Sequence, residues 1–408
     1  MSRLTDTFAS LGNGNYRIWA VGALISNIGT WMQRTAQNWL VLTALTDNNA
    51  TAVGIVMALQ YGPHILLLPW TGFVADHFDR RRLLLFTQAT MGVLALALGV
   101  LTVLGLVQLW HVYIFAFLFG CTTAFDSPAR QTFVGELVGD DLLANAVALN
   151  STSFNAARMI GPAAAGLCIA GLGTGWAFVL NGLSFLAVLT SLMFLRVKHL
   201  HPSVRAKRGR GSLIGGFRYV LGRPDLQTIV IMLFLIGTFG LNFQIFISTM
   251  CVTVFHAGVR AYGLLSSIMA IGTIIGAVLA AGRERPKMGY LLASAVVFGL
   301  GCALAGAMPN IALFGAALVV IGIASLTFTN TTNSLMQLAT EPAMRGRVMA
   351  IRLAVALGGT PIGAPIAGWV ADRFGPRWAL GLGAAAGLAA ALIAIRYLRK
   401  SAALQTEA

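Results

Sequence analysis

The chain has 408 residues, of which 57% are hydrophobic and only 10% are charged, and its net charge is +15. Soluble proteins carry about a quarter charged residues, so this composition excludes an ordinary soluble domain and indicates a polytopic membrane protein. Nucleic-acid binding is not indicated, because the basic residues lie in short segments between apolar runs, as in the loops that orient membrane proteins. The four cysteines are far apart and do not have the spacing of metal ligands.

Twelve apolar stretches are long enough to cross a bilayer, which takes about 20 helical residues. They predict spans at 17–45, 52–75, 83–106, 109–125, 143–170, 176–195, 226–254, 262–281, 288–308, 311–338, 348–370 and 378–397. We therefore expect an all-α membrane protein with twelve transmembrane helices in two six-helix, pseudo-symmetric bundles.

The basic residues predict the orientation of these spans. With the amino terminus inside, 23 of the 28 Lys and Arg residues fall on the cytoplasmic side and three in outer loops. Because positive charge accumulates on the cytoplasmic side, we expect a multi-pass protein of the plasma membrane (the inner membrane in bacteria) with both termini in the cytoplasm. The first span is expected to serve as the insertion signal.

A basic linker divides the chain, and its two sides repeat. The expected domains are an amino-terminal bundle at 1–196, a cytoplasmic linker at 197–224, and a carboxy-terminal bundle at 225–408 with a short tail. A shift of 202 residues places Gly161 to Gly166 on Gly363 to Gly368, and Trp176 on Trp378. Two halves in parallel arrangement are typical of one large class of transporter.

Segment 72–82 separates two apolar runs and reads Gly-Phe-Val-Ala-Asp-His-Phe-Asp-Arg-Arg-Arg. This loop resembles the one between the second and third helices of the major facilitator superfamily, through Gly72, Asp76, His77, Arg80 and Arg81. More narrowly, the whole chain resembles the branch of enterobactin exporters and macrolide efflux proteins. The segments that carry this likeness are 15–19, 26–34, 72–82, 127–131 followed by 136–138, and 345–348.

The resemblance implies alternating access, a central cavity lined by spans 1, 4, 7 and 10, and proton-coupled export. It assigns gating or conformational roles to Gly72, Asp76, Arg80, Arg81, Asp126, Gly161 and Pro162. Together with helical spacing, it assigns the substrate cavity to Asn27, Trp31, Arg34, Asn38, Asn155, Arg158, Asn242 and Gln244. The exporter signature of span 5 keeps Gly161 and Pro162 but has Ala165 where the pattern has glycine, which makes the antiport inference partial.

Two carboxylates, Asp76 and Asp126, are predicted to form contacts that stabilise particular conformations. We expect Asp76 to stabilise an outward-open state by contact with the helix amino terminus near 347–351, since a carboxylate gains about 0.3–2 kcal/mol there. The alternative is a loop that only sets topology. We expect Asp126 to pair with the cluster 80–82 as a latch, and the alternative makes Asp126 the proton site.

Two arginines lie deep in predicted spans. Arg34 is about 17 residues into span 1 and Arg158 about 15 into span 5, roughly 25 Å from the membrane surface. A charged side chain at that depth costs about 2.5–3.5 kcal/mol, so both should face protein or water. Arg34, with the aromatic face of Trp31, predicts a substrate that is anionic or rich in hydrogen-bond acceptors. The alternative is that both arginines bond backbone carbonyls and brace span 1 against span 5.

The sequence thus predicts a secondary active transporter, in the first place an exporter of a hydrophobic or amphipathic drug, antibiotic or siderophore. An importer or a lipid-moving transporter of the same fold is the alternative, and a membrane-embedded enzyme is a distant one. The expected partners are the small molecule, protons and the lipid bilayer, without nucleic acid, metal or cofactor. A monomer is expected.

Overall fold

The computed structural model describes residues 8–201, 213–281 and 286–406, and within these ranges the chain is helical without strands. The helices are α1 Gly14–Leu40, α2 Ala50–Leu66, α3 Leu68–His77, α4 Arg80–Val103, α5 Leu109–Val138, α6 Asp140–Leu172, α7 Thr174–Met193, α8 Leu213–Leu221, α9 Pro224–Leu235, α10 Phe243–Thr249, α11 Val259–Ala281, α12 Met288–Ala307, α13 Ile311–Ala339, α14 Pro342–Phe374 and α15 Pro376–Thr406. Short π-helical segments at Val41–Leu45, Ile236–Gly240 and Met250–Val254 extend α1, α9 and α10.

Nine helical segments in the described ranges are long and apolar enough to cross a membrane. Helix α2 is apolar but shorter. Helix α1 carries a row of buried polar residues that lowers its mean hydropathy, as expected of a helix whose polar side faces protein. The all-helical membrane fold is confirmed, and the count of twelve spans stays a prediction.

The chain forms two compact units, and each takes one short segment from the other half of the sequence. The first unit contains Met1–Thr46, Gly62–Lys207 and Val259–Ser267, and the second contains Asp47–Tyr61, Arg208–Gly258 and Ile268–Ala408. The domain boundaries expected from the sequence stay a prediction.

The first unit is built around α1 and α7, with α4 and α6 packed against them. Large buried side chains from α1, α5 and α7 belong to the core of this unit, among them Trp19, Phe133 and Phe185. Tyr16 is buried with them, and its hydroxyl donates to the carbonyl of Ala146 at 2.9 Å. A buried hydroxyl needs such a partner, and this bond fixes the start of α1 against α6.

The second unit packs α12 against both α13 and α15. Its core contains the rings of Phe246, Phe298 and Phe328. Gly240 faces the ring of Phe298 so closely that a Cβ atom would clash with it. The π-helical segment of which Gly240 is the last residue is therefore packed directly against α12.

Two predicted spans are interrupted in the structure. Span 52–75 breaks at Leu67, where α2 ends and α3 begins. Pro69 lies in the first turn of α3, where its missing N–H needs no acceptor within the helix, so it suits a helix start and not the continuation of α2. Span 226–254 is irregular between Ile236 and Asn242, where glycines permit departures from α-helical geometry. Apolar length alone predicted both as continuous.

Candidate substrate and coupling site

Trp31 lies between two arginines in the first unit. The guanidinium carbon of Arg34 lies 4.9 Å from the centroid of the Trp31 ring, and that of Arg158 lies 5.8 Å from it. Phe154 packs edge-on against the same indole, with ring centroids 5.8 Å apart. The structure therefore joins three of the predicted cavity residues, from α1 and α6, into one half-buried aromatic and cationic cluster.

A close contact of α1 with α6 positions this cluster. A Cβ atom on Gly161 would lie 2.5 Å from the Cβ atom of Trp31 and 3.0 Å from the carbonyl oxygen of Ile28. Only glycine fits there, so Gly161 sets the separation of the two backbones at the tryptophan. The next residue, Pro162, is buried, and its carbonyl oxygen faces Gly263 of α11. The predicted conformational pair thus lies where α6 meets two other helices.

A second polar cluster connects α1, α4 and α5. The Nε and Nη2 atoms of Arg130 donate to Oδ2 of Asp126 at 3.0 and 2.8 Å. Thr87 and Gln88 donate to Oδ1 of Asp126 at 2.8 and 2.6 Å. The Nη1 atom of Arg130 donates to Asn27 at 3.2 Å, so a predicted cavity residue is held by this network.

The predicted pairing of Asp126 with the 80–82 cluster is wrong. Asp126 is bound by the arginine one turn further along its own helix, whereas Arg80 forms an ion pair of 2.5 Å with Glu136 near the end of α5. Arg81 donates to the carbonyls of Leu192 and Met193 at the end of α7. These two arginines of the loop therefore hold the ends of α5 and α7, where unsatisfied carbonyls and a carboxylate accept hydrogen bonds.

The remaining predicted residues have different surroundings. Asn38 and Asn242 are buried, whereas Asn155 and Gln244 are half-buried. The amide of Asn155 donates to Ser151 of its own helix at 2.9 Å. Gly72 and Asp76 belong to α3, but their side-chain surroundings lie outside the described residues, so their gating roles stay predictions.

Sequence reasoning missed two features. Arg130 was counted among the cytoplasmic basic residues and within the family segment 127–131, and its spacing of four from Asp126, which favours an ion pair on a helix, was not used. The other feature is the break before α10, where Thr238 Oγ1 and Asn242 Oδ1 are buried without a hydrogen-bond partner in the described part of the chain. The glycines of that segment were the available signal for a break.

Comparison with known proteins identifies the family. The family described as transmembrane secretion effector, within the major facilitator superfamily, matches residues 5–407. This chain belongs to that family. Among its relatives, the staphyloferrin A transporter of Staphylococcus aureus is 29% identical over 356 residues, which cover 85% of this chain and 87% of the relative. The enterobactin exporter EntS of Shigella flexneri is 25% identical over 332 residues, covering 79% and 77%.

Solved structures give the same fold. A bacterial homologue of the human lysosomal transporter Spinster superimposes with a TM-score of 0.76 at 13% identity, covering 95% of this chain and 97% of that one. The nucleoside transporter NupG superimposes with a TM-score of 0.75 at 12% identity, covering 94% and 99%. The protein is thus a multi-pass major facilitator transporter related to siderophore transporters, as the resemblance in its sequence implied.

Proposed function

We propose that this protein is a secondary active exporter of an amphipathic small molecule that is anionic or rich in hydrogen-bond acceptors, in the drug, antibiotic or siderophore class. It works by alternating access, and protons that move in the opposite direction are the coupling ion. The names of the relatives, one of which is an exporter of a siderophore, support this substrate class.

One observation carries the proposal: the indole of Trp31 with the guanidinium groups of Arg34 and Arg158 close to it. An aromatic face accommodates the planar, apolar part of an amphipathic molecule, while guanidinium groups bind carboxylate and phosphate oxygens in a forked geometry. A substrate with both kinds of group would contact both kinds of side chain. In this proposal Arg34 binds the anionic group of the substrate, and Trp31 packs against its planar, apolar part.

Substitution of Arg34 tests this assignment. We expect Arg34→Gln to leave the protein folded and to raise the half-saturating concentration of an anionic substrate about tenfold or more, because a charge-assisted hydrogen bond is lost. Arg34→Lys should restore part of the affinity. Transport into inverted vesicles and thermal unfolding in detergent measure the two properties separately.

Arg377→Gln is the matched control, since that guanidinium donates to the carbonyls of Gly306 and Met308 and has no part in the cluster. If Arg34 only braces α1 against α6, the Gln variant should lose folded protein, and Lys should restore folding rather than affinity. Unchanged transport of an anionic substrate by a folded Arg34→Gln protein would exclude the anchoring role.

Direction and coupling need a separate measurement. In a deletion strain, an exporter predicts accumulation of the compound inside the cell, and an uncoupler should produce the same accumulation in the parent strain. Loss of uptake in the deletion strain would instead indicate an importer, the main alternative. Headgroup movement between leaflets of reconstituted vesicles would indicate the lipid-moving alternative.

We further propose that Asp126 braces the helices rather than carrying the proton. Four donors on three residues converge on its two oxygens, and Arg130 extends the network to α1. Asp126→Asn should therefore lower thermal stability in detergent and reduce transport and energy-independent substrate exchange together. If exchange survives while proton-driven transport is abolished, Asp126 is the proton site instead.

A further inference from the structure

Arg352 is a half-buried cation in the second unit that the cavity prediction did not include. It lies about three turns into α14. Its Nη2 atom donates to the carbonyl of Thr329 on α13 at 3.3 Å, a long hydrogen bond. Its Nε atom is buried without a hydrogen-bond partner in the described part of the chain, where no ion pair of Arg352 is found.

This arrangement is costly for an arginine. A guanidinium group carries five N–H donors and cannot be deprotonated in a protein, so its charge persists when it leaves water. A buried charge is stabilised only when it is paired and hydrogen-bonded. One bond to a backbone carbonyl satisfies one donor, and the described residues supply no counter-ion for the charge. The geometry therefore favours an anion beside Arg352.

Helix α13 supplies a polar surface beside this arginine. Seven of the eight residues 327–334 have a hydroxyl or an amide side chain, whereas residues 311–324 of the same helix are all apolar. Thr329, which accepts the bond from Arg352, and Asn333 are four positions apart and share one face. Asn330 and Asn333 are half-buried, and each amide group has two N–H donors. The carboxamides and the guanidinium together can donate to the oxygens of one anionic group.

We propose that Arg352, with Asn330 and Asn333, forms an anion-binding site that takes a carboxylate or phosphate group of the transported molecule. The proposal rests on the proposed function, because its ligand is an anionic group of the molecule that this function assigns to the transporter. A lipid phosphate has the same chemistry as a substrate phosphate, so the test must separate these two sources.

Anion binding can be measured without transport. Purified protein in detergent is titrated with citrate, a tricarboxylate probe, and with inorganic phosphate, at constant ionic strength maintained with chloride. The thermal unfolding midpoint reports binding, because a ligand that binds only the folded state stabilises it. We expect Arg352→Gln to raise the dissociation constant for citrate about tenfold or more, and Arg352→Lys to restore part of it.

Two further variants keep the test decisive. Arg377→Gln is the matched control and should bind citrate as the parent protein does. Asn333→Asp places a carboxylate on the same face as Thr329, so we expect it to keep or raise the thermal midpoint while abolishing the response to citrate. This variant provides the answer if Arg352→Gln fails to fold. A normal citrate affinity in folded Arg352→Gln or Asn333→Asp would overturn the proposal.

The remaining outcomes separate this inference from the proposed function. If Arg34→Gln weakens citrate binding and Arg352→Gln does not, only the Arg352 site is wrong. If the parent protein responds to neither anion nor to phosphatidylglycerol, the Arg352 site is wrong, while transport by the Arg34 variants still tests the proposed function. A response to phosphatidylglycerol that requires Arg352, with none to citrate or phosphate, would keep the anion site but overturn its assignment to the substrate.

Discussion

Two helix junctions, one in each unit, use the same device of paired glycines but different polar contacts. In the first unit, the start of α11 packs on α6, with Gly263 against the carbonyl of Pro162 and Gly166 against that of Val259. In the second unit, the start of α2 packs on α14, with Gly54 and Gly368 against backbone of the partner helix. The repeat of 202 residues places Gly166 on Gly368, so these junctions correspond.

The polar contacts at the two junctions differ. In the first unit, the hydroxyl of Ser267 donates to the carbonyl of Met159 at 2.6 Å. In the second, the carboxylate of Asp372 accepts from the backbone N–H groups of Ala50 and Thr51 at 2.7 and 2.8 Å, and from the Thr51 hydroxyl at 2.5 Å. Asp372 therefore satisfies the free donors at the start of α2 and lies at the positive end of its dipole.

Close backbone approach is common to both junctions, whereas the polar group that fixes each one differs. Small residues bring membrane helices together because lipid provides no hydrophobic force between them. Once the backbones touch, either a hydroxyl or a carboxylate can complete the contact. The α2–α14 junction combines its glycines with the charge of Asp372. Substitutions there should therefore lower the stability of the protein more than substitutions at the α6–α11 junction.

The largest effect is expected from Gly368→Ala. The added Cβ would overlap the backbone of Ala50 and Thr51, which cannot give way as a flexible side chain would. We expect a loss of about 1–3 kcal/mol in the free energy of unfolding, or failure to fold. The equivalent Gly166→Ala should cost less, because its Cβ would lie 3.1 Å from the carbonyl of Val259. Thermal unfolding in detergent ranks the two.

Gly62→Ala in α2 and Gly171→Ala in α6 are matched controls, since a Cβ at either position meets no atom within 4 Å. Both should be neutral or slightly stabilising, as alanine favours the helix over glycine. Equal destabilisation by Gly368→Ala and Gly62→Ala would contradict the packing argument, because it would trace the effect to helix propensity.

Sequence reasoning predicted the repeat that relates Gly166 to Gly368, but neither their partner glycines nor the polar contacts of the two junctions. Apolar runs indicate where helices lie because each must span the bilayer, and this holds whichever neighbours the helices have. The partner of a charged residue depends on how neighbouring helices are rotated, which a single sequence does not specify. Asp126 was therefore assigned to the wrong arginines. Trp31 with Arg34 was predictable, because both lie on one face of α1.

The hypothesis for Asp76 illustrates the same limit. It proposed a carboxylate near the end of α3 at the amino terminus of α14. The structure contains the converse arrangement, with a carboxylate near the end of α14 at the amino terminus of α2. The segment 371–377, Ala-Asp-Arg-Phe-Gly-Pro-Arg, has the Asp and basic residues of the 72–82 loop but follows the predicted span 348–370 on the outer side. The physical principle was applicable, but the location could not be determined without the fold.

An intermediate effect is expected from Asp372→Ala. The variant leaves two N–H groups and a hydroxyl at the start of α2 without their acceptor, which typically costs about 1–2 kcal/mol of stability. Asp372 and Asp47 both line a cavity of about 450 Å³. Water there screens part of the electrostatic contribution that the Asp372 carboxylate makes to stability.

Asp372→Asn separates the charge from the hydrogen bonds at this position. Its single amide oxygen replaces one of the two carboxylate oxygens, so we expect about half of the loss in thermal midpoint that Asp372→Ala shows. Raising the salt concentration should reduce the parent protein's advantage over Asp372→Asn, since part of the remaining difference is electrostatic. If Asp372→Ala unfolds at the temperature of the parent protein, the carboxylate does not stabilise the junction.

The smallest effect is expected from Ser267→Ala in the first unit. The variant removes one hydrogen bond between neutral groups, while the carbonyl of Met159 belongs to α6 and keeps its place in that helix. Such a bond contributes about 0.5–1.5 kcal/mol, and alanine has the better helix propensity, so we expect a net loss below about 1 kcal/mol in the free energy of unfolding.

Ser266→Ala is the matched control, because the Ser266 hydroxyl donates to Tyr262 within α11 itself. Thermal midpoints of the two variants, measured in the same detergent, should place Ser267→Ala below Ser266→Ala and above Asp372→Ala. A larger loss for Ser267→Ala than for Asp372→Ala would reverse the comparison, because the α6–α11 junction would then depend more on its polar contact than the α2–α14 junction does.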